Sequence, residues 1–352
     1  MKILFCNLNS LPPYHQSGAE ITIDEFLEEL SENGHLVYSV ICNEIPLLRM
    51  GEFNRVIQDG YDQVDYPYLK IFLNSKDNFQ SKAIHIINEI RPDVIISQLN
   101  FLKPLYEYCE SRNIPLFYLI HGIHQTGGMH SDGELAILKS QVVKGIICMS
   151  NFIKKSLQSN LKEKAVVIYP RIPYSRYKAK KLFRDRILFF NPIKSKGIDI
   201  VLQLAKMFPD EMFEIKETWK HSTICASERA LLGKNVVIGK IECSNSDIYK
   251  HCKLLLIPSQ EVEGYGRGII EANINKIPII ASNIGGIPEA AGVKQYLIDD
   301  YRSLEAWQYW LEKILRANVY SKKCVDALNN SLLASERYSK RTFSGYIEQM
   351  LG

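Results

Sequence analysis

Short apolar runs alternate with amphipathic stretches along the whole chain. Each run has four to seven residues and several are almost continuously apolar, as expected for strands that helices cover on both faces. Helical periodicity fills the stretches between the runs, and this alternation predicts an α/β fold built on parallel sheets. The predicted strands cover residues 3–7, 36–42, 94–98, 116–120, 145–149, 165–169, 187–190, 212–216, 235–238, 253–257, 277–281 and 295–298.

Turn residues end the helices between these strands. Asn33 and Gly34 close the first helix, because glycine adopts the left-handed conformation of a helix end without strain. Pro92 ends another helix in the same half. The whole pattern predicts two doubly wound, Rossmann-like domains that face each other across a cleft. Ligands of such sheets bind at the carboxyl ends of the strands.

Length and composition fit two soluble domains. The 352 residues are 46% apolar and 23% charged, which excludes a disordered chain. No apolar run approaches the roughly 20 residues of a membrane-spanning helix. The first residues form a predicted buried strand rather than a signal peptide. Eight cysteines without a Cys-x-x-Cys pair indicate free thiols in a reducing compartment, so we expect a cytoplasmic protein.

Charge divides the chain unequally. The net charge is +4, but residues 1–170 carry −4 and the remainder carries +8. Residues 171–186 hold seven basic side chains and one acidic, and they are the predicted linker. They leave two interpretations open, a solvated linker or a patch facing phosphate or a membrane surface. Nucleic acid is not an expected partner, because base-reading motifs do not accompany the charge.

Two features of the first half are candidate sites. Gly18 stands in a small-residue turn that opens a helix, where backbone amides suit a phosphate, although an ordinary turn explains it equally. His121 follows a predicted buried strand, where either a functional or a structural histidine is expected. His124 and His130 follow in the same loop without an acidic ligand between them, so we expect no metal site.

The second half contains a more specific pattern. The strand at 253–257 runs into a loop with Glu263 and then into a helix with Glu271. The next strand ends in a second glycine turn, Gly285-Gly286. Helix amides suit a diphosphate and carboxylates accept hydrogen bonds from sugar hydroxyls. A nucleotide sugar has all of these groups, whereas the alternative is two ordinary surface carboxylates.

Glu263 and Glu271 form an E-x7-E pair, and with residues 258–289 the chain resembles the retaining glycosyltransferase family 4 of the GT-B fold. The resemblance extends over nearly the whole chain. It implies an acceptor-binding domain at 1–170, the basic linker at 171–186 and a nucleotide-sugar-binding domain at 187–330. A C-terminal helix, 331–352, would return toward the first domain. Further matches in family order are residues 17–20, 34–35, 91–93, 121–122, 150–154 and 196–197.

The resemblance also implies the roles of individual residues. Glu263 would hold hydroxyls of the donor sugar, His121 would touch that sugar near its anomeric carbon, and Lys196 would neutralise the leaving phosphate. Glu271 would hold the ribose hydroxyls. The other implied donor-binding residues are Gly18, Asn191, Lys194, Lys240, Ile241, Gly264, Tyr265, Gly266, Arg267 and Gly268.

The chain departs from the family where Asn191 and Pro192 replace an arginine. Lys194 is the expected substitute, although it is a point charge without a fork of donors. No Asp-x-Asp motif occurs, so neither a metal nor another cofactor is expected.

The implied activity is metal-independent, retaining transfer from a UDP or GDP sugar to the hydroxyl of a glycan, lipid-linked or small-molecule acceptor. The acceptor is expected to contact loops at 61–78 and 121–132. The acceptor's identity and the oligomeric state are left open. A sugar-nucleotide epimerase of the same architecture and a non-catalytic nucleotide-sugar-binding protein are the alternatives.

Overall fold

The protein divides into two compact units. One comprises Met1–Arg171 with Lys340–Gly352, and the other comprises Ile172–Ser339. The computed structural model describes residues 1–8, 17–42, 55–58, 61–74, 78–98, 103–123, 132–217, 223–224, 229, 232–239, 247–292 and 295–352.

The first unit is built on a sheet of nine described strands in the order β3-β4-β5-β2-β1-β6-β7-β8-β9. All six strands predicted in this half are confirmed. Neighbouring strands are parallel except at β3–β4 and β4–β5, which are antiparallel. The strands are β1 (Lys2–Asn7), β2 (Leu36–Cys42), β3 (Arg55–Gln58), β4 (Tyr61–Tyr66), β5 (Leu69–Asn74), β6 (Val94–Gln98), β7 (Leu116–Ile120), β8 (Val143–Cys148) and β9 (Ala165–Val167).

Residues 61–78 were expected to be a loop that contacts the acceptor, and the loop assignment is wrong for most of that range. β4 and β5 occupy it, and β5 extends the parallel sheet beside β2. Residues 61–66 have polar residues at positions 62, 63 and 65, so they lack the continuous apolar run of a buried parallel strand, and β4 pairs antiparallel with both β3 and β5. Phe72 of β5 is buried in the core.

Five helices cover the first sheet within the described part of residues 1–171. Ser17 caps the first of them by accepting a hydrogen bond from the Ala19 amide (3.3 Å). Gly34 ends that helix in the left-handed conformation, with φ +83°, which confirms the predicted helix end. The helices are α1 (Gly18–Glu32), α2 (Phe79–Ile90), α3 (Lys103–Ser111), α4 (Asp132–Lys139) and α5 (Asn151–Ser156).

Residues 171–186 are ordered against the rest of the protein. Arg171 donates to the Glu32 carboxylate (2.7 Å) and to the Glu25 carbonyl (3.2 Å). The short helix α6 (Tyr174–Tyr177) follows, and the Tyr177 side chain is fully buried. Arg184 donates to the backbone carbonyl of Asn275 (2.8 Å).

The second unit is built on a parallel sheet whose six described strands follow the order β12-β11-β10-β13-β14-β15. All six strands predicted here are confirmed. They are β10 (Arg186–Phe190), β11 (Met212–Lys216), β12 (Val236–Gly239), β13 (Cys252–Ile257), β14 (Ile279–Ser282) and β15 (Tyr296–Ile298). The longer described helices after α6 are α7 (Ile198–Met207), α8 (Arg267–Ile274), α9 (Ile287–Ala291), α10 (Leu304–Leu315) and α11 (Ala317–Ser339).

The last helix, α12 (Phe343–Leu351), belongs to the first unit, whereas residues 331–339, which were expected in the same returning helix, belong to α11 of the second unit. Phe343 stacks on Phe26 of α1 with ring centroids 4.3 Å apart. The Ser344 amide donates to the Glu29 carboxylate (3.1 Å). The chain therefore crosses from the second unit back to the first at its end.

Within the described residues, no helix is both long enough and apolar enough to span a membrane. The six cysteines of that part of the chain are free thiols, as expected.

Candidate functional site

The candidate site of the second unit begins at the carboxyl end of β10. Asn191 follows the strand with φ +58°, and its amide donates to the Lys216 carbonyl at the end of neighbouring β11 (2.9 Å). A single 3-10 turn, Lys194–Lys196, comes next and places both lysines just beyond the strand. This turn lies at the sheet edge where ligands of parallel sheets bind.

The loop after β13 packs directly against this turn. The Gln260 amide donates to the Ser195 carbonyl (2.8 Å). Gly197 has φ +86°, and a side-chain carbon there would lie 2.9 Å from the carbonyl carbon of Pro258. A side chain at this position would be strained by its conformation and would push the two loops apart. The glycine lets the two strand ends approach each other.

This approach brings Lys196 and Glu263 together. Lys196 Nζ lies 2.9 Å from Glu263 Oε1, and the two side chains are 24% and 19% exposed. The buried hydroxyl of Ser259 donates to the same carboxylate oxygen. A cation and a carboxylate, both reachable by a ligand, therefore stand side by side at the ends of adjacent strands. Ser259 was not predicted as a site residue.

The glycine pair Gly285-Gly286 after β14 lies beside the loop after β13, which packs on the turn after β10, and completes the candidate site. The Gly286 amide donates to the Glu263 carbonyl (2.8 Å). A side-chain carbon at Gly286 would lie 2.6 Å from the carbonyl carbon of Gly264, and Gly285 has φ +62°. The two glycine turns at neighbouring strand ends thus pack backbone to backbone, which fixes the main chain that carries Glu263.

Helix α8 starts immediately after this loop. Gly266 precedes its first residue in the left-handed conformation, with φ +100°. Arg267 and Gly268 form the first turn, and the buried Tyr265 lies in the connection with Gly264. The backbone N–H groups at such a helix start, together with the helix dipole, attract an anion.

Glu271, one turn further along α8, is buried and held on both carboxylate oxygens. Arg267 Nε donates to Oε1 (2.6 Å) and the Tyr249 hydroxyl donates to Oε2 (2.8 Å). Arg267 Nη2 also donates to the Tyr177 hydroxyl (2.6 Å). Burial, and then the Glu271 charge, raise the pKa of Tyr249 well above its usual range, so its hydroxyl stays a donor.

The remaining predicted residues lie elsewhere. Gly18 is exposed in the first turn of α1, and His121 is half-buried directly after β7, both in the first unit. At the same sheet edge, Asn7 Nδ2 donates to Gln98 Oε1 across β1 and β6 (3.3 Å). Residues 240–241, where Lys240 and Ile241 were expected to meet the base, fall outside the described residues, as do His124 and His130.

In the part of the chain that the structure describes, no three His, Cys, Asp or Glu side chains are grouped so as to hold a metal ion. Sequence reasoning identified the charged residues of the site but not the groups that orient them. Ser259 lies in the stretch that carries the family resemblance but was given no role, whereas Tyr249 and Tyr177 lie outside any motif and only the folded contacts reveal them.

Comparison with known proteins identifies the family. The model of the family described as glycosyl transferases group 1 matches residues 153–330, half of the chain. The Glycosyltransferase Family 4 model matches residues 16–176. An uncharacterized glycosyltransferase of Methanocaldococcus jannaschii is 25% identical over 321 residues, which are 83% of this chain and 84% of that protein.

Solved structures share the fold over the whole length. Anabaena HepE, crystallised with UDP-glucose, aligns with a TM-score of 0.74 at 17% identity, covering 100% of this chain and 99% of that one. A glycosyltransferase from Rickettsia africae aligns with a TM-score of 0.71 at 16% identity, covering 99% and 98%. The GT-B fold predicted from the sequence is confirmed. The chain is a glycosyltransferase that belongs to the glycosyl transferases group 1 family.

Proposed function

We propose that the protein transfers a sugar from a nucleoside diphosphate sugar, UDP- or GDP-linked, to an acceptor hydroxyl, with retention of configuration and without a metal ion. The observation that carries this proposal is the pairing of Lys196 with Glu263 at 2.9 Å on the ligand-binding edge of the second sheet. Lysine complements a phosphate, and a carboxylate complements sugar hydroxyls. When a nucleotide sugar binds, its phosphate would contact Lys196 and its sugar hydroxyls would contact Glu263, so the two side chains would no longer pair with each other.

Phosphate binding is supported by three groups. Lys196 supplies a full positive charge, and Lys194 stands on the same turn. The start of α8 supplies backbone N–H groups and the positive end of its dipole. Charge that develops on a leaving phosphate is stabilised when such donors are already in position. The proposal assigns that work to these groups instead of a metal ion.

In the proposed reaction, the bond between the anomeric carbon and the phosphate oxygen breaks first. The acceptor oxygen attacks the anomeric carbon on the face that the leaving group vacates. The acceptor's proton goes to the departing phosphate oxygen, so charge and atoms balance without another base. Attack from the vacated face retains the configuration of the donor sugar.

Two further observations support parts of the proposal. Among the structures that share the fold, Anabaena HepE was solved with UDP and with UDP-glucose, which favours a uridine donor. The buried free thiols, including Cys109 and Cys148, are consistent with the reducing cytoplasm. The acceptor is assigned to the first unit, where His121, Asn7 and Gln98 lie at the carboxyl edge of the sheet.

A panel of UDP, GDP, dTDP and ADP sugars tests this function. Binding of the true donor raises the melting temperature of the protein, because ligand binds only the folded state. Each stabilising donor is then incubated with hydroxyl acceptors in EDTA, and product configuration is read from the anomeric proton coupling by NMR. We expect transfer with retention. An inverted product, dependence on added metal, or a donor altered without any acceptor would overturn the assignment.

A further inference from the structure

The basic segment 171–186 presents an exposed aromatic ring among lysines. Phe183 is 45% exposed. Lys181 Nζ lies 4.7 Å from the centre of the Phe183 ring, and Lys250 Nζ lies 5.4 Å from it. The His251 ring stacks on the same ring, with centroids 4.8 Å apart. These four residues form a surface cluster that we call the Phe183 patch.

The backbone on both sides holds the Phe183 ring at the surface. The Phe183 amide donates to the Lys250 carbonyl (2.8 Å), and the Asp185 amide donates to the His251 carbonyl (3.1 Å). Arg184, between them, donates to two backbone carbonyls just after α8 (2.8 and 3.1 Å). The exposure of the ring is therefore set by the fold of the second unit.

The charges of the patch suit an anionic surface. Within the described residues, neither Lys181 nor Lys250 forms an ion pair. Asp185 is the acidic residue of the segment, and its carboxylate accepts a hydrogen bond from His251 Nδ1 (2.9 Å). Lys180 is exposed beside the patch. A cation over an exposed ring is held only weakly, and an anionic lipid surface attracts each nearby lysine at least as strongly.

We propose that the Phe183 patch docks the protein on a membrane surface that contains anionic phospholipids. The lysines would leave the ring for lipid phosphates, and the uncovered ring would enter the headgroup boundary, where aromatic side chains are favoured. One ring and a few charges make such docking reversible. Of the two interpretations that the sequence leaves open for residues 171–186, this proposal selects the membrane surface.

The patch fits a lipid surface better than a nucleic acid. Proteins bind single-stranded nucleic acids by stacking bases on free ring faces. His251 stacks on Phe183 and two lysines lie over the same ring, so its faces are already occupied. None of these residues belongs to the donor site. The proposal therefore goes beyond sugar transfer and does not depend on it.

Flotation of the whole chain with lipid vesicles tests the docking. Vesicles of phosphatidylcholine alone are compared with vesicles in which about one third of the lipid is phosphatidylglycerol. The patch variants are Phe183→Ser and Lys181→Gln. Tyr309→Ser is the matched aromatic control, because Tyr309 is 56% exposed with Lys313 Nζ 5.4 Å from its ring centre. Lys206→Gln is the lysine control, because Lys206 is exposed on α7.

We expect the wild-type protein and both controls to bind only the anionic vesicles, and to leave them as salt is added. Phe183→Ser should weaken this binding by about tenfold and Lys181→Gln by about fivefold. Both replaced side chains are exposed, so the melting temperature should stay unchanged. An unchanged melting temperature separates the loss of docking from a loss of folding.

Several results would overturn the proposal. They are equal binding to the two kinds of vesicle, binding to neither, or wild-type binding by both patch variants. Tighter binding to a single-stranded oligonucleotide than to the anionic vesicles, weakened in Lys181→Gln, would assign the patch to nucleic acid instead. The assay contains no nucleotide sugar, so none of these results bears on the proposed function.

Discussion

At Gly197 the turn that carries Lys196 passes directly over the carbonyl group of Pro258. In Gly197→Ala, the new methyl carbon would lie 2.9 Å from both the carbonyl carbon and the Cβ of Pro258, and closer still to the carbonyl oxygen. Nonbonded carbon atoms pack at about 3.5–4.0 Å, so the two loops must separate by roughly 1 Å. The 2.8 Å hydrogen bond from Gln260 to Ser195 spans the same gap and would be stretched.

Two costs add in this variant. Alanine at φ +86° is strained by about 1–2 kcal/mol, and overpacking adds about 1–3 kcal/mol. Displacement of Lys196 by roughly 1 Å is expected to lower kcat by about 100-fold. The proper control is Gly34→Ala, which has φ +83° but nothing within 4 Å of the new carbon. Its cost is the conformational strain alone.

The assays are urea unfolding and the rate of nucleoside diphosphate release from the donor. We expect Gly34→Ala to lose about 1–2 kcal/mol of unfolding free energy with unchanged kcat. We expect Gly197→Ala to lose more stability and to lose activity as well. Equal behaviour of the two variants in both assays would refute the argument that contact between these loops sets the position of Lys196.

Three other perturbations have definite expected results. Ser259→Ala removes the hydroxyl that donates to the Glu263 carboxylate, so it should lower kcat about tenfold with little change in melting temperature. Unchanged transfer kinetics would contradict the role of Ser259 in orienting Glu263. Phe343→Ala removes the ring stacked on Phe26 and should lower the free energy of unfolding in urea by about 3–5 kcal/mol. Proteases should also cut the variant sooner after residue 339, where the chain leaves the second unit. A loss of unfolding free energy below about 1 kcal/mol would disprove this packing role. Burial raises the pKa of Cys109 and Cys148 to about 12, so roughly one in ten thousand of these thiols is ionised at pH 8. Both should react with a disulfide reagent only after unfolding, and rapid labelling in native buffer would argue against their burial.

Twelve strands of the two sheets could be predicted because each is a short apolar run between turn residues, whereas β5 was missed although it is parallel to β2 and its Phe72 is buried. β3 and β4 could not be predicted, because β4 has polar residues at positions 62, 63 and 65 and shows neither an apolar run nor a regular alternation. The family resemblance predicted that the last helix returns to the first unit. In the structure, the Phe343 ring stacks on Phe26 of that unit.

The site was only partly predictable for a different reason. Lys196 and Glu263 could each be named from motifs, but their contact depends on β10 lying beside β13. The order of strands in a sheet cannot be predicted from the local sequence around each residue. Tyr249 and Tyr177 act through hydrogen bonds to residues 22 and 90 positions away in the chain. Such partners follow from the fold and not from a motif.

The most direct test of the central claim is isothermal titration of the nucleoside diphosphate and its sugar-linked form into Lys196→Met, Glu263→Gln and the control Lys206→Met. Lys206 is exposed on α7 and distinguishes the loss of a site lysine from the loss of any lysine. We predict that Lys196→Met weakens both ligands by about tenfold or more, because the proposed function assigns the Lys196 charge to the phosphates. Glu263→Gln should weaken only the sugar-linked form, and Lys206→Met neither. Wild-type affinities in Lys196→Met and Glu263→Gln would contradict the assignment of this ion pair to the donor.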